Sequence, residues 1–248
     1  MTSLPPARCC TVGTLHEGEP KGELKDIGNV STYLSYPPDQ STSNAILILS
    51  DVIGHKFVNV QLIADEFAAR GYFVVLPDLF NGDTVPLNRP EGFQIQDWLQ
   101  NHLPKDVEPI IDSILAEMRN SYGCQRIGGV GYCFGGRYVA RYLRSAAACK
   151  LDVGYTAHPT MMSADELASI QGPLSIAAAV NDFVFTAEKR HESEAILARL
   201  DVPYQINLFS HVEHGFSVRC DLAIKEQRVA KEGAFLQAVQ WFDAYLKI

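Results

Sequence analysis

Short, almost wholly apolar runs recur along this chain, separated by stretches with helical periodicity, and that alternation constrains the fold more than any other feature. Ala45-Ile46-Leu47-Ile48-Leu49 and Tyr72-Phe73-Val74-Val75-Leu76 read as strands covered on both faces, since a half-exposed strand would alternate apolar with polar residues. Val30–Tyr36, Ile127–Tyr132, Val153–Ala157, Leu174–Val180 and Tyr204–Phe209 are further strand candidates, and Ile27-Gly28-Asn29 suggests a turn from a short antiparallel partner. Between strands, Val60, Ile63 and Phe67 fall at helical spacing ahead of Gly71. Val107, Ile110, Ile111, Ile114, Leu115 and Met118 form one apolar stripe, and a last amphipathic helix carries Phe235, Val239, Phe242 and Leu246. This order predicts an α/β class with a mostly parallel sheet and helices on both faces. Ligands of such sheets bind outside the carboxyl ends of the strands. No repeat or linker divides the chain, so residues 1–248 are expected to form one domain. Residues 1–23, punctuated by Gly and Pro, read as an N-terminal loop packed on it.

Charge narrows the partners. Lys and Arg number 21 against 29 Asp and Glu, a net −8, which repels nucleic acid and anionic membranes. No apolar run approaches the ~20 residues that span a bilayer, and the first residues lack the apolar core of a secretory signal. Six cysteines, at 9, 10, 124, 133, 149 and 220, are too sparse for a disulfide framework and fit a reducing, cytoplasmic setting. A small-molecule ligand and a monomer or homodimer are the expectation.

The chemistry concentrates at Ile127-Gly128-Gly129-Val130-Gly131-Tyr132-Cys133-Phe134-Gly135-Gly136. Strand, Gly-x-Cys-x-Gly and helix follow one another as in a nucleophile elbow, with cysteine in place of serine. Small residues two before and two after the nucleophile let a strained turn sit between strand and helix. The helix N-terminus favours thiolate, and the Phe134 amide can face an oxyanion. A buried structural cysteine beside a glycine-rich bend is the alternative reading of the motif alone.

Such a nucleophile needs an acid and then a histidine, in that chain order. Asp182 follows the Leu174–Val180 strand, and Ser210-His211-Val212-Glu213-His214-Gly215-Phe216 follows Tyr204–Phe209, so either His211 or His214 could serve. Taken singly, Asp182 could open a turn and each histidine could be merely solvated. Three suitable residues in the required order, each past a strand, are far less expected by chance.

With these residues in place, the chain resembles the dienelactone hydrolase family, carboxymethylenebutenolidase-type enzymes of the α/β-hydrolase fold, in its eukaryotic-type branch. The resemblance runs over nearly the whole chain. It rests on Cys9-Cys10, Gly13, His16-Glu17-Gly18, Asp78-Leu79-Phe80, Gly131-Tyr132-Cys133-Phe134-Gly135-Gly136, Tyr155-Thr156-Ala157-His158-Pro159, Asn181-Asp182 and His214-Gly215-Phe216. It implies a single-domain α/β-hydrolase with Cys133 as nucleophile, Asp182 as orienting acid and His214 as base. The Val52 amide, in the loop after the Ala45–Leu49 strand, becomes the second oxyanion donor beside Phe134. Bacterial relatives carry a glutamate that receives the thiol proton where this chain has Asp51. Arginines that grip a substrate carboxylate in those relatives do not map cleanly: Asn81-Gly82-Asp83 follows Asp78-Leu79-Phe80, and Arg219 is an offset counterpart of the second. Asp51, Tyr132, His158 and Arg219 are therefore candidates for arming the thiol or lining the pocket.

Adjacent Cys9 and Cys10 with His16 make a poor tetrahedral set, so no metal is expected, and the segment is expected to pack against the sheet. No organic cofactor is implied. Arg137, Arg141 and Arg144 read as a solvated helix face, and Phe93 and Trp98 as an apolar lid. The function expected is hydrolysis of a small lactone or carboxylic ester through a thioester acyl-enzyme. A thioesterase or product-releasing hydrolase of a biosynthetic pathway is the alternative, and a non-catalytic binding protein the second.

Overall fold

The computed structural model describes residues 1–144 and 150–247, so Cys149 and the final Ile248 lie outside the described residues. In chain order the elements are β1 (Glu23–Ile27), β2 (Val30–Ser35), β3 (Asn44–Leu49), α1 (Val58–Ala69), β4 (Phe73–Pro77), α2 (Ile95–Leu99), α3 (Pro104–Asn120), β5 (Arg126–Tyr132), α4 (Phe134–Tyr142), β6 (Val153–Ala157), α5 (Ala164–Ala168), β7 (Leu174–Asn181), α6 (Ala187–Leu197), β8 (Tyr204–Glu213), α7 (Phe216–Arg219) and α8 (Lys225–Tyr245). Eight strands form one sheet in the order β1-β2-β4-β3-β5-β6-β7-β8. The pairs β1–β2 and β2–β4 are antiparallel, and every pair from β4 across to β8 is parallel.

The apolar runs become the centre of this sheet. Residues 45–49 of β3 and 73–76 of β4 are wholly buried, as expected of strands with helices on both faces. One face is closed by α1 and α8, where Phe67 packs on Phe235 and Phe242. The stripe on α3 is buried along its length from Val107 to Met118. Two readings need correction. The last strand does not stop at Phe209 but continues through an irregularity at Ala179/Asn181 to pair Asn181 with Glu213, so His211 lies in β8 rather than in a loop. Arg137 and Arg141 are not simply solvated, since both hold the buried Glu166, and Arg141 also holds Glu108. Among the described residues no helix is long and apolar enough to cross a membrane.

The N-terminal segment is tied down at both ends. Thr2 and Ser3 amides donate to the Met162 carbonyl and that of Leu4 to Val184, while Thr14 donates to the Arg219 carbonyl and His16 to the Asn59 side chain. Between these anchors a single 3-10 turn, Arg8–Cys10, dips into the carboxyl edge of the sheet.

Candidate active site

Cys133 sits between β5 and α4 with φ 51° and ψ −106°, a conformation that costs a non-glycine residue about 1–3 kcal/mol. The neighbouring glycines permit it. A Cβ on Gly135 would lie 1.9 Å from the Leu49 carbonyl oxygen, and one on Gly131 would lie 2.6 Å from the Gly136 Cα. Only bare backbone lets the start of α4 abut the end of β3. That contact brings the Phe134 amide and the Ser50-Asp51-Val52 loop to the same side of the elbow. The elbow is braced from β6, with the Cys133 amide donating to the Ala157 carbonyl and the Thr160 amide to the Cys133 carbonyl.

His214, immediately after β8, donates through Nδ1 to both oxygens of Asp182, at 2.9 and 3.1 Å. Asp182 is held in turn by the Val184 and Phe185 amides at 2.8 Å each. Burial opposes the charge on Asp182, but His214 and these donors win and hold its pKa below the usual carboxylate value. Burial likewise opposes protonation of His214. The Cys10 sulfur and the Asp182 carboxylate outweigh it, and the imidazole is held well above its ordinary value. His211, by contrast, is exposed and takes no part in this pairing.

His214 Nε2 points at a sulfur that sequence reading did not place here. Cys10 Sγ lies 3.4 Å from it, and Cys10 Sγ, Cys133 Sγ and His214 Nε2 all lie within 4.8 Å of one another, all three residues buried. The expectation that Cys9-Cys10 packs on the sheet is thus too bland, since Cys10 enters the site itself. His16 goes elsewhere, its Nε2 bound to the Cys220 carbonyl at 2.8 Å. The only signals in the sequence were the cysteine pair and the glycine after it.

Asp51 and Arg219 form a buried ion pair, Nη1 to Oδ2 at 2.6 Å. Arg219 also donates through Nε to the Val12 carbonyl and through Nη2 to the Cys9 carbonyl, at 3.0 Å each. Its guanidinium is therefore spent on Asp51 and on pinning the N-terminal turn. Burial raises the Asp51 carboxyl against the opposing pull of Arg219. His158, just past β6, bonds Ser217 Oγ through Nε2 at 2.6 Å and stands edge-on to His214, ring centroids 5.0 Å apart. Burial, with His214 and Arg219 nearby, pushes it well below its ordinary value, so it is a neutral imidazole. Tyr132 is buried and stacks on His158. Trp98, expected as part of a lid, is buried against Phe80 and Phe134, the residue that follows the nucleophile. A cleft of about 650 Å³ borders His214 and Arg219 and carries Glu213, Asp221 and Glu226 on its rim. Cys133 itself has no exposed surface.

A mostly parallel eight-stranded sheet with a strained elbow at the end of β5, and an acid and a histidine following β7 and β8, defines a protein of the α/β-hydrolase class. Residues 30–246 match the profile of the Dienelactone hydrolase family. The chain is 61% identical over 247 residues, with 100% of both chains covered, to Hydrolase pyvD of Aspergillus violaceofuscus. It is 31% identical over 248 residues, covering 96% of this chain and 93% of the other, to Dienlactone hydrolase 1 of Gibberella moniliformis. Its fold is similar to that of the dienelactone hydrolase of Anabaena variabilis, with a TM-score of 0.65 at 13% identity over 94% of this chain and 100% of that one. The chain belongs to the dienelactone hydrolase family and is an ester or lactone hydrolase.

Proposed function

We propose that this hydrolase cleaves a small lactone or ester by covalent catalysis, with Cys133 as nucleophile, Asp182 as orienting carboxylate and His214 as general base. The observation that carries the reading is the aligned set of Asp182, His214 and the paired sulfurs, with His214 fixed through Nδ1 so that Nε2 faces the thiols. The Cys133 thiolate attacks the carbonyl carbon, and the oxyanion is held by the Phe134 and Val52 amides, which have no acceptor among the described residues. Collapse expels the alkoxide, which takes a proton from the His214 imidazolium and leaves as the alcohol, and a thioester remains. His214 then takes a proton from water, which attacks the thioester and releases the acid. Asp51 is held by Arg219 in this resting form, and its release from Arg219 would free it to accept the thiol proton as substrate enters. Because Cys133 is sealed beneath the 8–10 turn, substrate entry also requires that turn to shift. The test is a panel of lactones, aryl esters and acyl thioesters against wild type and Cys133→Ala, with intact mass after rapid quenching. Turnover confined to wild type, with one acyl mass on the peptide containing Cys133, is expected. Undiminished turnover in Cys133→Ala would refute the reading.

A further inference from the structure

The geometry points to a second capability of the same pocket: Cys10, Cys133 and His214 form a binding site for a thiophilic divalent cation such as Zn²⁺, and its occupancy holds the enzyme off. The inhibitory half rests on the catalytic roles proposed above, whereas the binding half rests on the three ligand atoms alone. A tetrahedral zinc with bonds of about 2.3 Å to sulfur and about 2.0 Å to nitrogen sets sulfur and nitrogen ligands about 3.5 Å apart and two sulfurs about 3.8 Å apart. Cys10 Sγ and His214 Nε2 already stand 3.4 Å apart, and the Cys133 sulfur is within 4.8 Å of both. Closing that last gap takes a side-chain adjustment of about 1 Å.

The surroundings suit an ion as well as the spacing does. His214 presents Nε2 because Asp182 fixes Nδ1, and a carboxylate behind a histidine ligand is the usual means of orienting it toward a metal. Two thiolates neutralise the divalent charge, the nearby carboxylates being already engaged, Asp182 with His214 and Asp51 with Arg219. Each thiol that binds gives its proton to solvent, and so does Nε2 of a protonated His214. Three protein ligands leave a fourth position for water or an inhibitor, and the ion enters as substrate does, when the 8–10 turn shifts. The sulfur content selects zinc, cadmium or cobalt over magnesium, calcium or manganese. A bound ion occupies the lone pairs of both nucleophile and base, so hydrolysis stops until the ion leaves. The adjacent Cys9 takes no part, which removes the objection that neighbouring cysteines rarely share one ion. The three ligands come from three separate parts of the chain.

Cobalt is the probe, since a tetrahedral site with thiolates shows visible d–d bands and a near-ultraviolet sulfur-to-cobalt band. Reduced, chelator-treated full-length protein is titrated with Co²⁺, then with Zn²⁺ in competition, alongside Cys10→Ser, Cys133→Ser and a Cys220→Ser control. Circular dichroism and melting temperature confirm that each variant folds. One equivalent of cobalt should develop both bands in wild type and the control, with zinc displacing it stoichiometrically. Each of the other two variants should lose about half the sulfur-to-cobalt intensity and bind at least tenfold more weakly. No bands at one equivalent, or bands unchanged in folded Cys10→Ser, overturns the site. With an ester turned over by wild type, one equivalent of zinc should abolish hydrolysis and a chelator should restore it; full activity with zinc bound overturns the inhibitory half. Bands without any hydrolysis leave the metal site standing and count against the hydrolytic roles, and hydrolysis without bands does the reverse.

Discussion

Replacing Arg219 with alanine should be among the most damaging single changes in this molecule, and its cost can be built from its contacts. The side chain is fully buried, ion-paired to Asp51 at 2.6 Å, and donates to two carbonyls of the N-terminal segment. Breaking a buried pair by removing one partner costs about 3–5 kcal/mol, because the other charge stays behind in low dielectric. Asp51 can relieve part of that by taking up a proton, since burial already raises its carboxyl, which favours the low end. Losing the donor to the Cys9 carbonyl adds roughly 1 kcal/mol, whereas Val12 is exposed and its carbonyl can turn to water. A total of about 4 kcal/mol corresponds to a fall of roughly 8–16 °C in Tm for a chain of this size. Thermal melting of Arg219→Ala, Asp51→Ala and the double variant measures it, with the double variant expected to recover much of the loss. Tryptic nicking after the exposed Arg8 should accelerate in Arg219→Ala as the turn comes loose. A Tm within about 3 °C of wild type, or a double variant showing the plain sum of the single losses, would refute the argument.

His214→Ala should lower kcat/KM by several orders of magnitude and His211→Ala by ~10-fold or less, read from steady-state ester hydrolysis; equal losses would remove His214 from the base role. The Asp182–His214 pair makes a pH-dependent contribution to stability. The part from Asp182 is fully present above its ordinary value of 3.8 and lost as pH falls through its lowered folded value. The part from His214 is fully present below its ordinary 6.5 and lost as pH rises through its raised folded value. The melting-temperature gap between wild type and Asp182→Asn should therefore be largest between those ordinary values and shrink toward alkaline pH; a gap that widens above pH 9 would contradict the assignment. Finally, Arg219 is committed to Asp51 and the cleft beside His214 has an acidic rim, so a methyl ester should match or exceed its free acid in kcat/KM. A strong preference for the acid that vanishes in Arg89→Ala would instead place carboxylate recognition on the far side of the N-terminal turn, where Arg8 and Arg89 line a second hollow.

What the sequence made legible was local in character. Strand β6 runs from Val153 to Ala157 as the apolar run does, and the elbow glycines announce Cys133 because their contacts lie within a few residues or in the adjoining strand. Asp182 and His214 could be placed together because each directly follows a strand, Asp182 the mostly buried β7 and His214 the edge strand β8, so the parallel sheet itself carries them to one edge. The end of β8 was misjudged because Ser210 and His211 carry no apolar signal, and the strand persists there through pairing with β7 alone. The pairing of Arg219 with Asp51 and the place of Cys10 in the site went unforeseen for a different reason. Their partners lie 168 and 204 residues away, and no periodicity encodes a contact of that span. Gly13 held a trace of it, since a Cβ there would lie 2.6 Å from the Arg219 carbonyl oxygen, a close approach invisible without the partner.

The tied-down N-terminal segment sets an order of events during synthesis. Its first residues leave the ribosome long before anything they bind exists: Thr2 waits for Met162, Cys10 for His214 and Val12 for Arg219. Until β8 and α7 have emerged, the turn that carries Cys10 has no dock, and both thiols stand in solvent. The pocket is thus completed by a segment made well before the strands it docks on, after the sheet that receives it has formed. A nascent chain stalled before residue 214 should react with an alkylating agent at Cys10 and Cys133 alike, and the finished protein at neither until its N-terminal turn opens.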